Sequence, residues 1–184
     1  TRQPPVIFRS AQQMRLLAEI FHGEPATGPE LARRLGIPQS TVARELARLE
    51  ESGLIRTEHF GTGQLAVPAD DLPFAPALRQ LLAYVGGIVP VLIAEYENRP
   101  EIEEVFIFGS WVDRVNGIPG PPPNDIDIAV VADSLTRFDL AEERLRLDAS
   151  TGAKINQFVF EPGNERLAEL RRHSVPVLSR HHAK

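Results

Sequence analysis

Apolar positions in the first third of the chain recur at helical spacing. Met14, Leu17, Ala18 and Phe21 form one face of a helix that Ser10 is placed to cap. Thr27 followed by Glu30 is a capping box, and Gly36 ends the helix it opens. Residues 38–53 predict a third helix, with Val42, Leu46 and Leu49 facing Leu31 and Leu35. Two short helices joined by a tight turn form a helix-turn-helix. The pattern then shortens. Residues 54–60 and 64–67 read as two strands around Gly61-Thr62-Gly63. A linker follows at 69–73. Next come a helix over 74–84, a break at Gly86-Gly87, and a second helix carrying Val89, Leu92, Ile93 and Tyr96.

Beyond residue 100 the periodicity alternates between strand and helix. Val105–Phe108 is a short apolar run suited to a buried strand, closed by Gly109-Ser110. After a Gly- and Pro-rich insert, Asp125-Ile126-Asp127-Ile128 alternates polar and apolar before running into Ala129-Val130-Val131. A helix over 140–147 that Thr136 or Asp139 is placed to cap, a strand over 154–161 and a helix over 165–172 complete the pattern, with a short apolar segment at 175–178. The fold class expected is α+β. A helix-turn-helix with a β-hairpin wing occupies residues 1–70, and a small mixed-sheet α/β domain occupies 71–184.

Side chains two apart on a strand share a face, so Asp125 and Asp127 project together. Adjacent carboxylates repel each other and are held most readily around a cation. Mg²⁺, or Mn²⁺ in its place, takes oxygen ligands from one or two carboxylates and substrate phosphates. Gly109 lets the backbone approach a phosphate closely, and a helix starting at Ser110 or Trp111 aims its free N–H groups at it. Together these are the parts for metal-assisted phosphoryl or nucleotidyl transfer.

The strand, Gly109-Ser110, short helix and Asp125-x-Asp127 strand resemble the minimal nucleotidyltransferases of DNA polymerase beta type. The resemblance implies that Gly109 and Ser110 hold a nucleoside triphosphate, while Asp125 and Asp127 bind the metal and carry catalysis. Arg114, one helical turn past Ser110, is a further candidate for a phosphate contact. Trp111 is placed either to stack on a base or to anchor the helix. Catalytic relatives carry a third carboxylate on a later strand, where this chain has Asn156 or Gln157. An amide orients water or ligates a metal but is no base near neutral pH.

The segment ELARRLGIPQSTVARELARLEESGLI, with the wing after it, resembles winged helix-turn-helix regulators of the ArsR/MarR kind. By that resemblance the helix from Gln39 to Leu49 enters the major groove. Gln39, Ser40, Thr41, Arg44 and Arg48 would then face phosphates and base edges. In order, the two segments resemble a prokaryotic family of ArsR-like regulators fused to a minimal nucleotidyltransferase.

Charge refines this picture. Net charge is −5 and residues 1–70 balance eight Arg against eight acidic residues, so a uniformly basic nucleic-acid coat is excluded. With no cysteine there is no disulfide or thiolate metal site. No secretory signal or membrane-length apolar run is evident, so a cytoplasmic protein without membrane contact is expected. The five histidines show no zinc-site spacing. The expectation is a DNA-binding transcriptional regulator, dimeric as readers of paired half-sites commonly are. Its second domain would move a nucleoside monophosphate from an NTP to a hydroxyl on a protein or RNA, such as a cognate toxin. The alternative is an antitoxin-like repressor without turnover that senses a nucleotide or partner.

Overall fold

In the computed structural model, which describes residues 7–61, 63–121 and 123–180, caps set the first two helices. Ser10 Oγ accepts the Gln13 N–H at 3.1 Å and opens α1, Ala11–His22. A two-residue strand β1, Ala26–Thr27, leads into α2, Gly28–Leu35, where Thr27 and Glu30 form the capping box in both directions. Gly36 leaves α2 in the left-handed conformation that its missing Cβ permits, at φ 63°. Helix α3, Gln39–Glu51, has no side-chain cap. Strands β2, Ile55–Phe60, and β3, Gly63–Pro68, form an antiparallel hairpin, and β1 pairs with β3 at Ala26–Ala66. Thr62 at the expected wing tip, Pro122 in the insert and the His181-His182 pair lie outside the described residues.

Helix α4, Ala75–Val85, packs on α1 with Leu82 fully buried and Leu78, Leu81 and Val85 alongside. The chain accordingly divides at Gly87/Ile88 into two compact units, rather than at residue 70. The linker reading assigned α4 forward because the turn at 69–73 is the stronger punctuation. Its apolar face nevertheless completes the core of Leu16, Phe21, Leu31 and Val42. By length and composition alone Ala75–Tyr96 suffices to cross a membrane, a test that the core helices of soluble proteins also pass. A break at Gly86-Gly87 divides it, and Leu82 and Ala83 are buried in the first unit.

His22 ends α1 half-buried beside this core. Burial, with the nearby Arg79 cation second, lowers its pKa to about 4 from an ordinary 6.5. The native unit therefore resists protonating His22 while the unfolded chain does not. The stabilisation is complete above about pH 6.5 and drains away as pH falls toward 4. It amounts to something on the order of 3 kcal/mol. Protection factors of amides in the first unit are expected to fall between pH 7 and 5, and His22→Leu should remove that fall. Equal protection at both pH values would refute it.

The second unit opens with α5, Ile88–Tyr96, which holds Pro90 in its first turn where no N–H is needed. Then come β4 (Glu104–Phe108), α6 (Ser110–Val115), β5 (Asp125–Val131), α7 (Ala141–Thr151), β6 (Lys154–Phe160), α8 (Arg166–Arg172) and β7 (Ser174–Ser179). Sheet order is β6-β5-β4-β7, with β4 antiparallel to both neighbours and β5 parallel to β6 through the α7 crossover. The segment at 175–178 is thus an edge strand. Pro176 is tolerated there because an edge leaves one side free of ladder bonds.

Thr136 and Asp139, expected to cap α7, instead bond each other in the turn before it. The Thr136 N–H and hydroxyl both donate to Asp139 Oδ2, and the N-cap position falls to Leu140. One sheet face is covered by α5 and α7, where Gln157 Nε2 donates to the buried Tyr96 hydroxyl at 2.6 Å. Burial pushes that phenol well above its ordinary range. On the other face Leu167 of α8 packs on Phe106, Ala129 and Val131. That cover leaves the start of β5 open.

Candidate functional site

At the uncovered end of the sheet, β5 begins with Asp125 and Asp127. Asp127 lies opposite Phe108 of β4 and Asn156 of β6, while Asp125 lies opposite Lys154. Register therefore puts Asn156, not Gln157, on the carboxylate face. Its Nδ2 donates to Asp125 Oδ2 and to Asp127 Oδ1, at 2.9 Å each. One nitrogen reaching both oxygens shows that the two side chains converge on a single point. Both aspartates are half-buried, open enough for a ligand to approach.

Gly109 closes the site from the β4 side. It adopts φ 80° and ψ −157°, a combination available essentially to glycine alone. A Cβ placed there would stand 2.9 Å from Asp127 Oδ2. The turn thus passes directly against the carboxylate, and only a glycine fits. Ser110 follows on the surface and starts α6, whose first turn bonds back to the Gly109 carbonyl through the Val112 and Asp113 N–H groups. Trp111 is buried at 4% exposure, so it anchors α6 and does not stack on a ligand.

Arg114 lies one turn beyond Ser110 and is half-buried. Its Nε and Nη1 are buried without a hydrogen-bond partner among the described residues. The guanidinium lies against Gly120, where any side chain would collide with it. The Gly- and Pro-rich insert therefore runs over Arg114.

Two aromatic residues beside the pair escaped the sequence reading. Phe158, two residues after Asn156 on the same face, is exposed and meets Phe108 at 5.5 Å between ring centroids. The signal was the i, i+2 alternation of β6. A shallow pocket lined by Arg137, Phe138, Ala141, Arg144 and Gln157 belongs to the opposite face of that strand.

Among the described residues no third carboxylate or histidine joins Asp125 and Asp127. The donor set is two carboxylates plus the Asn156 amide, whose oxygen would face inward if the amide turned over. These are hard oxygen donors and fit Mg²⁺ or Mn²⁺, provided phosphates and water complete the shell.

In the first unit, Gln39, Ser40 and Arg44 are exposed on α3 and Thr41 is half-buried beside them. Arg48 lies on the flank of the same helix and pairs with Glu45 at 2.6 Å. The wing tip carries Phe60 in the open. Residues 9–63 match the MarR family model. The first unit carries a winged helix-turn-helix similar to that of the MarR family. This match ends at the first residue of β3 and includes none of the second unit. No curated protein matches the chain. Among solved structures, the chain is similar to a provisionally assigned nucleotidyltransferase from Sulfolobus solfataricus. That likeness has 18% identity over 57% of this chain and 87% of that one, with a TM-score of 0.35.

Proposed function

We propose that this protein is a DNA-binding transcriptional regulator whose second unit binds a nucleoside triphosphate with Mg²⁺ and passes its nucleoside monophosphate to a protein or RNA hydroxyl. The observation that carries the second half is the convergence of Asp125 and Asp127 on one point beside the Gly109-Ser110 turn. In this reading Gly109 and Ser110 hold the phosphates, and Arg114 supplies a cation on the same side of α6. Asp125 and Asp127 would hold the metal, which would supply positive charge to offset that of the phosphates. Asn156 orients the two carboxylates without acting as a base. The acceptor oxygen bonds to the α-phosphorus as the α–β phosphoanhydride bond breaks; pyrophosphate leaves, and the acceptor's proton goes to one of the aspartates or to water.

The test is label transfer. The chain is incubated with labelled ATP, CTP, GTP or UTP, Mg²⁺ and a lysate, beside the variant with both Asp125→Ala and Asp127→Ala. Transfer lost in the double variant supports the enzyme. One observation favours a second reading, a sensor without turnover: the amide of Asn156 stands where a third carboxylate would supply a base. Nucleotide binding without transfer would establish that reading.

For the first unit, the exposed polar face at the start of α3 supports entry into the major groove by Gln39, Ser40, Thr41 and Arg44. Arg44 has no partner among the described residues, so its charge is available to a phosphate. Arg44→Ala is expected to weaken duplex binding roughly uniformly across sequences and to lower the salt slope by about one. An unchanged gel shift across a salt series would remove Arg44 from the interface. A pair of copies reading paired half-sites completes the proposal, checked by light scattering with and without duplex.

A further inference from the structure

The buried stripe of α3 contains one residue that does not belong in a core. Val42, Glu45 and Leu49 form that stripe, and Glu45 is 8% exposed. A buried carboxylate is retained at a cost unless its oxygens find donors. Two donors reach it. Gln13, itself buried on α1, donates Nε2 to Glu45 Oε2 at 3.3 Å, while its own Oε1 accepts the Arg9 N–H at 3.0 Å. Arg48 donates Nη1 to Glu45 Oε1 at 2.6 Å. The bonds run unbroken from the turn before α1 to the flank of α3. An apolar side chain would fill the same space without needing either donor. What the carboxylate adds is a fixed position for the Arg48 guanidinium. The rest of that fork has no partner among the described residues, and its side chain is 40% exposed.

We propose that Arg48 is a base reader held in place by Glu45, distinct in role from the unpaired Arg44, and that its target is the guanine edge in the major groove. This rests on the DNA-binding reading of α3. The argument is one of charge and geometry. A free arginine offers a mobile cation, which suits phosphates and gives salt-dependent, sequence-blind affinity. A guanidinium neutralised by a buried carboxylate has little net charge to offer. It keeps a rigid planar fork, and that fork matches the O6 and N7 acceptors of guanine. Glu45 is then a positioning residue, and Gln13 holds it from behind.

The experiment selects binding sites from a randomised duplex library with the full chain, and repeats the selection with Arg48→Lys and Glu45→Gln. Lysine keeps the charge and the pairing but loses the fork. Glutamine keeps the volume but releases the charge of Arg48. Both variants are expected to select the unaltered site with one guanine position made degenerate, and to bind the original site ~10-fold less tightly relative to random duplex. Glu45→Gln should in addition bind random duplex more tightly, with a salt slope steeper by up to about one. A purely structural role for Glu45 predicts no such gain. Identical selected sites for all three proteins would overturn the proposal. So would an equal loss on selected and random duplex by Arg48→Lys, which would make Arg48 a phosphate contact. If the unaltered chain enriches no sequence, specific DNA reading fails as a whole, and Arg48 fails with it.

Discussion

Replacing Asp127 with asparagine is expected to cut Mg²⁺-dependent nucleotide binding, and any transfer that follows, by on the order of 100-fold or more while leaving the fold intact. The asparagine keeps the volume and keeps an oxygen able to accept from Asn156 Nδ2, so the contact at 2.9 Å survives. What it loses is the charge that a hard cation requires. The reciprocal change, Asn156→Asp, should act in the opposite sense. It sets a third carboxylate against two others within hydrogen-bonding reach, which raises at least one pKa and destabilises the second unit in EDTA. Mg²⁺ should then raise its melting temperature by more than it raises that of the unaltered chain, because ligand that binds only the folded state stabilises by mass action. A titration with a fluorescent NTP, with and without Mg²⁺, reads the first variant, and thermal melts read the second. Equal nucleotide affinity in Asp127→Asn would remove this carboxylate from the site.

Gly109→Ala should damage both stability and the site. The backbone there has φ 80° and ψ −157°, where any side chain costs about 1–3 kcal/mol. The added methyl also stands 2.9 Å from Asp127 Oδ2, closer than a real contact allows. Either the turn or the carboxylate must move, so nucleotide binding should fall even where the protein stays folded. For a unit of this size 1 kcal/mol shifts the melting temperature by about 4–8 °C. Ser110→Ala, on the exposed residue next door, is the control for stability and should melt like the unaltered chain. An alanine at 109 that melts normally and binds nucleotide normally would show that the turn is not pressed against the carboxylate.

Periodicity carried the helices and strands well, because each is driven by its own apolar face and its own caps. Thr27 and Glu30 make a capping box in sequence and in space. Asp125 and Asp127 share a face because alternation on a strand leaves no choice. Long-range partners were a different matter. Thr136 and Asp139 looked like caps for α7, yet they satisfy each other, since a cap competes with any local turn offering the same donors. Segment 175–178 was legible as apolar but not as a strand, because an edge strand is defined by the neighbour it pairs with.

Local chemistry, then, is what the sequence by itself determined: a helix-turn-helix with a wing, a glycine turn before a helix, and two carboxylates on one strand face. Only the tertiary structure decided which residue stands across from those carboxylates, where α4 packs, and that Glu45 is tied to both Gln13 and Arg48. The reason is physical. Dihedral preferences and capping act over a few residues, whereas strand register and burial depend on segments far apart in the chain that meet only when the core closes.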